Sequence, residues 1–297
     1  AQLKNIYTLR TPEDSAEIAK HAKRGQKIVV VGGSFIGMEM ASGLRKSGCD
    51  VSVVALESVP FERVLGKKVG AAFARLLQKN GVEWLGSAQV RLFRGNERVN
   101  GVELEDGEVL PADAVVIGAG VLPNTRFVEG VSLDKNGAII VGPLLNCETA
   151  PTLFAAGDVC AYPAMATGTR VRIEHWDVAT QQGRVAARNM LGQFKPFTEM
   201  PYFWSGLFGK SLSFVGHAPE VLDRVIIEGD VSGMEFISYY TEDDEVRAVA
   251  TVNRDGVAGA CAELMRRGTM PRVSELMLGV ANADTILERL QKLSAAS

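Results

Sequence analysis

An α/β architecture is what this 297-residue sequence predicts: a doubly wound sheet with an inserted antiparallel meander, followed by a separate α+β region. Three observations carry the prediction. Short β-branched runs alternate with stretches of helical periodicity through the first 120 residues. A glycine pair stands where the first such run meets the helix after it. Beyond residue 200, short strands broken by polar turns replace the alternation. Composition agrees, with 46% hydrophobic residues, 23% charged residues and 31 Gly against 11 Pro, the profile of a folded chain rather than a disordered or collagen-like one.

The first clear element begins at Lys27, where Ile28, Val29, Val30 and Val31 form a buried strand ending at Gly32 and Gly33. Ile36, Met40 and Leu44 then recur at helical spacing, Gly48 supplies a stop, and Val51, Val53 and Val54 open a second strand, completing a βαβ unit. Val69, Phe73 and Leu76 or Leu77 predict a helix over residues 67–80, capped by Gly81 and followed by a strand at 82–85. Between Val90 and Leu110 the polar turns RGNE and EDGE separate short strands, an inserted meander. Residues 114–117 form another buried strand that ends in Gly118, Ala119 and Gly120, with Pro123 beyond, where a boundary falls.

Further along, residues 138–141 and 154–156 read as strands, and a long helical pattern runs from about 175 to 191 before a boundary marked by Pro196 and Pro201. The expected division is therefore 1–122, a dinucleotide-binding domain; 123–197, a smaller middle part; and 198–297, an α+β domain.

Charge and composition exclude several functions. With 32 Lys plus Arg against 35 Asp plus Glu, the formal charge is −3, and no basic run offers to neutralise nucleic-acid phosphates. No apolar stretch reaches the roughly 18 residues of a membrane span, and the mixed charges of LKNIYTLRTPEDSAE leave no signal-peptide core. Cys49, Cys147, Cys160 and Cys261 stand far apart, without the spacing of a zinc site or a redox dithiol. No metal site is expected.

The chemistry is concentrated in GGSFIGME. Gly32 and Gly33 lie at the strand-to-helix turn and Gly37 where helix and sheet approach, as dinucleotide binding requires. Backbone amides at the helix start, reinforced by its dipole, hold a pyrophosphate without a cationic side chain. Ser34 occupies the position where the fingerprint usually has its second Gly. Glu57, a little over 20 residues on, suits an adenine ribose and favours NADH over NADPH, because a 2′-phosphate would meet a carboxylate; Arg63 nearby pulls the other way. At the end of FAAGDV, Asp158 is a turn residue or a ligand contact.

Five ordered motifs, KIVVVGGSFIGMEMAS, ADAVVIGAGVLPNT, TLFAAGDV, RVRIEHWDVATQQGRVAARNML and YFWSGLFGKSLSFVG, cover nearly the whole chain. Together they resemble the flavoprotein reductases of the pyridine nucleotide-disulfide oxidoreductase class, and more closely their apoptosis-inducing-factor-like, Rieske-associated branch. The resemblance implies a Rossmann-type NADH domain, a partial FAD domain at 123–197 and a dimerisation-like reductase C-terminal domain. It places Phe35, Ile36 and Glu39 near the nicotinamide, Gly118 along the same cleft, Asp158 on the FAD ribityl chain, and Glu174 and His175 near the flavin ring. A helix starting near His175 would direct its positive end at the pyrimidine side of that ring. Trp176 and Trp204 are open between core packing and aromatic walls for a flavin.

The implied activity is hydride transfer from NADH to FAD, then electron transfer to a ferredoxin, a Rieske centre or a quinone, with no side chain acting as acid or base on the reacting carbon. A homodimer and a mitochondrial or cytoplasmic location belong to the same implication. One departure stands out: only about 27 residues precede the NADH domain's first strand, where relatives carry the N-terminal half of the FAD domain and, in the disulfide-reducing branch, its cysteine pair. The expectation is a fragment of such an enzyme; the alternative is a non-catalytic NADH-binding or interaction module.

Overall fold

The computed structural model describes residues 3–165, 168–218 and 224–295. In chain order, β1 (Ile6–Thr8), α1 (Pro12–Ala19), β2 (Lys27–Val31), α2 (Phe35–Lys46), β3 (Asp50–Val54), α3 (Glu62–Lys79) and β4 (Val82–Leu85) are followed by β5 (Val90–Gly95), β6 (Val99–Leu104), β7 (Val109–Pro111) and β8 (Ala114–Ile117). Strands β1, β8, β2, β3 and β4 lie in that order in one sheet, every pairing parallel. A parallel sheet covered on both faces needs near-continuous apolar strands, and Ile28, Val29, Val30, Val53, Val54, Val115 and Val116 are all buried.

The meander forms its own antiparallel sheet, β5-β6-β7. Its inner face, Val99, Val102, Leu104 and Leu110, packs with Val29, Val54 and Val115 of the parallel sheet. Glu103 is buried on β6 and tied to Arg94 (2.5 Å) and Arg91 (2.7 Å), the Arg94 hydrogen bond holding its carboxyl below the usual range.

The sequence reading began at Lys27 and passed over α1 and the edge strand β1, which pairs with β8, and two further elements of this unit differ from it. The inward face of α2 is Gly37, Met38, Ala41 and Leu44, while Ile36 is 40% exposed. The helix is rotated so that its glycine, not its nearest bulky residue, faces the sheet. Helix α3 starts at Glu62, five residues before the predicted start, because Gly66 (φ 75°, ψ 167°) breaks the apolar pattern into two joined segments.

The remaining elements are β9 (Ile139–Ile140), β10 (Cys160–Pro163), β11 (Arg170–Val171), α4 (Trp176–Met190), β12 (Tyr202–Leu207), β13 (Lys210–Gly216), β14 (Arg224–Asp230), β15 (Glu235–Glu242), β16 (Glu245–Val252), α5 (Asp255–Arg266), α6 (Val273–Met277) and α7 (Ala283–Ala295). A small sheet runs β11-β10-β9, and a larger one β12-β13-β16-β15-β14. Apolar residues of β15 and β16, among them Ile237, Tyr239 and Val249, pack against Val257, Leu264 and Ile286 of α5 and α7. The strand expected at 154–156 is absent: Phe154 makes a single antiparallel bridge to Asn146, and Gly157–Val159 is a short 3-10 turn leading into β10. An extended segment becomes a strand only where a neighbour pairs with it over several residues.

The chain divides into two compact units. The first comprises Ala1–Gly120 with Ser205–Ser211 and Asp230–Glu235; the second comprises Val121–Trp204, Leu212–Gly229 and Phe236–Ser297. Among the described residues no helix is long and apolar enough to cross a membrane.

Candidate functional site

In the first unit the C-terminal ends of β2, β3 and β8 surround a cleft of about 410 Å³, lined by Gly32, Gly33, Ser34, Phe35, Glu57, Arg63 and Gly118 among others. Backbone contact shapes it. Gly32 has φ +115°, and a Cβ there would stand 2.4 Å from the Gly118 carbonyl oxygen. A Cβ on Gly37 would stand 2.3 Å from the Gly32 carbonyl oxygen, and one on Gly118 3.1 Å from the Gly37 nitrogen. Three backbone segments therefore touch where side chains would hold them apart, which brings the first turn of α2 down onto the loop.

Ser34 explains how the loop tolerates a residue other than Gly. It is the N-cap residue of α2 in extended conformation, yet its hydroxyl makes no cap bond; it donates instead to the Gly118 carbonyl at 2.7 Å. The serine pins two sides of the cleft together and leaves the amides of the first turn without a side-chain cap, the arrangement an anion uses.

Glu57 and Arg63, which the sequence set in opposition, form one ion pair at 2.9 Å, with Glu57 mostly covered and Arg63 mostly exposed. Exposed pairs of this kind contribute little to stability. Their consequence is for recognition: the carboxylate facing the cleft has already engaged the cation that a 2′-phosphate would need.

The sequence reading missed the groups that hold this loop. Phe61, at φ 59°, is the N-cap residue of α3; its amide donates to the Gly33 carbonyl at 3.2 Å, and its ring stacks on Phe35 at 4.5 Å and meets Phe73 edge-on at 5.1 Å. A left-handed phenylalanine leaves no pattern in a sequence. The Trp84 indole donates to the Ser58 carbonyl at 3.1 Å. The Glu62 carboxylate accepts from the Ser58 hydroxyl and amide at 2.7 and 2.8 Å, and the Ser58 hydroxyl bond holds its pKa below the ordinary carboxylate value. Glu39, on the second turn of α2, accepts a 2.6 Å hydrogen bond from the hydroxyl of Ser205, which is 3% exposed.

In the second unit Arg172, which the sequence reading also passed over, ties two expected residues together. Its guanidinium pairs with Glu174 at 2.5 Å and donates to the Asp158 carbonyl at 3.3 Å. The turn bearing Asp158 is held to α4 by buried Gln182, whose oxygen accepts from the Gly157 amide at 2.7 Å and from the Cys160 thiol at 3.3 Å. His175 is the N-cap residue of α4 without a cap bond. Its Nδ1 is buried without a partner, its ring lies 4.5 Å from Phe203, and burial, aided by His217, lowers its pKa to about 4. The imidazole is therefore neutral at pH 7. Trp176 and Trp204 are 74% and 55% exposed and meet edge-to-face at 6.0 Å; neither is core, and an exposed aromatic pair is a surface available to a flat ring.

The four cysteines are buried free thiols, and desolvation lifts Cys160 and Cys261 to about 12. Among the described residues no group of three or more His, Cys, Asp or Glu side chains is arranged to hold a metal ion.

Fold and cleft together define an α/β dinucleotide-binding protein of the kind used in redox chemistry. The chain belongs to the pyridine nucleotide-disulphide oxidoreductase family, whose pattern it matches over residues 2–183, and its residues 202–286 match the reductase C-terminal family. It is 40% identical over 288 residues to apoptosis-inducing factor 3 of Homo sapiens, covering 96% of this chain and 47% of that protein. It is 33% identical over 283 residues to the ferredoxin–NAD(+) reductase component of the anthranilate 1,2-dioxygenase system of Burkholderia cepacia, covering 95% and 69%. The structure also matches the reductase in a covalent putidaredoxin reductase–putidaredoxin complex with a TM-score of 0.89 and 28% identity, over 97% of this chain and 69% of that one. The chain spans about half the length of the first of these curated relatives.

Proposed function

We propose that this chain provides the NADH-binding and flavin-side parts of an NADH-dependent FAD oxidoreductase that passes electrons to an acceptor protein. The observation that carries the reading is the cleft at Gly32, Gly37 and Gly118, where backbone meets backbone at distances no Cβ allows, beside a carboxylate already paired with the nearest cation. That cradle fits a dinucleotide pyrophosphate and an adenine ribose without a 2′-phosphate. For the flavin, the fit rests on the orphaned Nδ1 of His175, the uncapped start of α4 and the exposed Trp176–Trp204 pair, which suit a flat ring with a polar edge.

Bound together, the two cofactors supply a hydride donor and a carrier that releases electrons singly. The chain's own residues position and exclude. Gly32, Gly33, Ser34 and Gly37 seat the pyrophosphate, Glu57 holds the ribose, and Phe35, Ile36 and Glu39 border the nicotinamide end. Asp158, with Arg172 behind its carbonyl, takes the ribityl chain; Glu174, His175, Trp176 and Trp204 border the ring. The four cysteines of this chain, buried and with raised pKa values, are not themselves redox thiols. The ferredoxin reductases among the relatives favour a ferredoxin-like iron–sulfur acceptor over a quinone. The reading keeps the three-part division at 1–122, 123–197 and 198–297, a homodimer as the assembly and a mitochondrial or cytoplasmic setting.

The test is cofactor binding by the 297-residue chain and by the same chain supplied with the N-terminal FAD segment of a relative. The cradle at Gly32 serves one dinucleotide, and ordering a ligand as flexible as FAD has to be offset by contacts along its whole length. NADH should bind the chain alone, FAD should be retained weakly, and flavin absorbance with NADH oxidation should return once the segment is added. NADH binding with no flavin recovered under either condition replaces this reading with that of a nucleotide-binding module.

A further inference from the structure

In the second unit a cavity of about 230 Å³ lies beside the paired strands β10 and β11 and the ends of β13 and β16, lined by Tyr162, Val171, Phe197, Met200, His217 and Arg247 among others. None of these residues belongs to the cofactor reading above. Tyr162 is 3% exposed, its ring meets Phe197 edge-on at 5.4 Å, and its buried hydroxyl has no hydrogen-bond partner. Folded proteins leave few buried hydroxyls unsatisfied, so a retained one calls for a ligand or an ordered water. Val171, Phe197 and Met200 give the cavity walls without donors or acceptors on their side chains, poor anchors for the two to four bonds that hold a buried water.

The charged groups at the rim are already engaged with one another. Arg247 holds Glu242 at 3.0 Å and Glu245 at 2.6 Å, and Arg170 holds Glu148 at 2.7 Å. Glu199, exposed at the edge, repels an anion. His217 stands at the mouth with one side open to solvent; desolvation of the other lowers its pKa, so the ring is neutral at pH 7. Neither a carboxylate nor a phosphate is recruited by such a rim. The volume is below the usual range for drug-sized ligands and suits one ring.

We propose that this cavity binds a small neutral aromatic molecule bearing one carbonyl acceptor, its ring between Phe197, Val171 and Met200 and its oxygen on the Tyr162 hydroxyl. Acetophenone is the probe, and ethylbenzene, which has the same shape and no acceptor, is the comparator, both titrated into the full chain by calorimetry. Acetophenone should bind about tenfold more tightly, the worth of one neutral hydrogen bond in an apolar site. Tyr162→Phe should erase the difference between the two ligands and raise the melting temperature, since the orphaned hydroxyl is gone. Met200→Trp, filling the cavity from its rim, should block both ligands without touching Tyr162. The proposal is overturned if acetophenone fails to saturate the wild-type chain at millimolar concentration, if Tyr162→Phe still prefers acetophenone, or if Met200→Trp binds both as before.

Discussion

Adding one methyl group at Gly37 tests the backbone cradle directly. The new Cβ would stand 2.3 Å from the Gly32 carbonyl oxygen and 3.3 Å from its carbonyl carbon. Ordinary contact begins near 3.4 Å, so the start of α2 and the loop must separate by about 1.1 Å. Overpacking of this kind costs about 1–3 kcal/mol, while replacing a helical Gly by Ala returns about 1 kcal/mol. Gly37→Ala should therefore lose on the order of 1 kcal/mol net, and Gly37→Val, with two more methyl groups and a β-branched side chain, at least about 2 kcal/mol. The binding effect is larger, because the displaced amides of the first turn are those proposed to seat the pyrophosphate. Losing one charge-assisted hydrogen bond weakens NADH by about 1.5–3 kcal/mol, roughly ten- to a hundredfold.

Gly43 supplies the control within the same helix: a Cβ there meets nothing within 4 Å, so Gly43→Ala should raise stability by up to about 1 kcal/mol and leave NADH affinity unchanged. Thermal melts and NADH fluorescence titrations of the three variants read both quantities. A Gly37→Ala protein that melts and binds NADH like the wild type would refute the cradle.

Three further predictions follow from the geometry. NADH should bind more tightly than NADPH, and Glu57→Gln should narrow the gap by about 1.5–3 kcal/mol, both by removing the carboxylate and by releasing Arg63 toward a 2′-phosphate; equal affinity of the wild type for the two nucleotides contradicts the assignment. Because burial holds His175 at about 4 in the folded chain against an ordinary value of 6.5, only the unfolded state takes up that proton between these values. Its contribution is thus full above pH 6.5 and lost as the pH falls toward 4; urea melts at pH 7 and pH 5 should show a smaller difference for His175→Gln than for the wild type. The buried cysteines, with Cys160 and Cys261 near 12, should resist alkylation by iodoacetamide at pH 8 until the chain is unfolded, and rapid labelling of the native protein would contradict their burial.

Local rules reach a long way in this chain. Lys27–Val31 and Ala114–Ile117 declare themselves as strands because a parallel sheet buried on both faces demands apolar runs, Asp50–Val54 and the edge strand Val82–Leu85 keep enough β-branched and aromatic residues to follow, and the stops at Gly48 and Gly81 follow from backbone sterics alone. The glycines of GGSFIGME were legible for the same reason: a close approach of backbone to backbone admits one residue type. Tertiary structure decided what depends on partners distant in sequence. Which face of α2 turns inward was settled by Gly37 against Gly32, which keeps Leu44 inside and leaves Ile36 exposed. Phe154 to Ala156 is apolar enough for a strand, but a strand requires pairing over several residues, and the segment makes one isolated bridge, Phe154 to Asn146, with the Ala155 amide on the Leu145 carbonyl.

Side-chain partnerships were hidden in the same way. Nothing in a linear reading joins Arg63 to Glu57 as one group, turns the Ser34 hydroxyl toward Gly118, places Phe61 in a left-handed conformation against Phe35, or leaves Trp176 and Trp204 in solvent. Periodicity records whether a residue faces the interior, because burial of apolar area is additive and local. Recognition depends on which polar atoms meet which, and that pairing is set only when the folded backbone brings residues tens or hundreds of positions apart within about 3 Å.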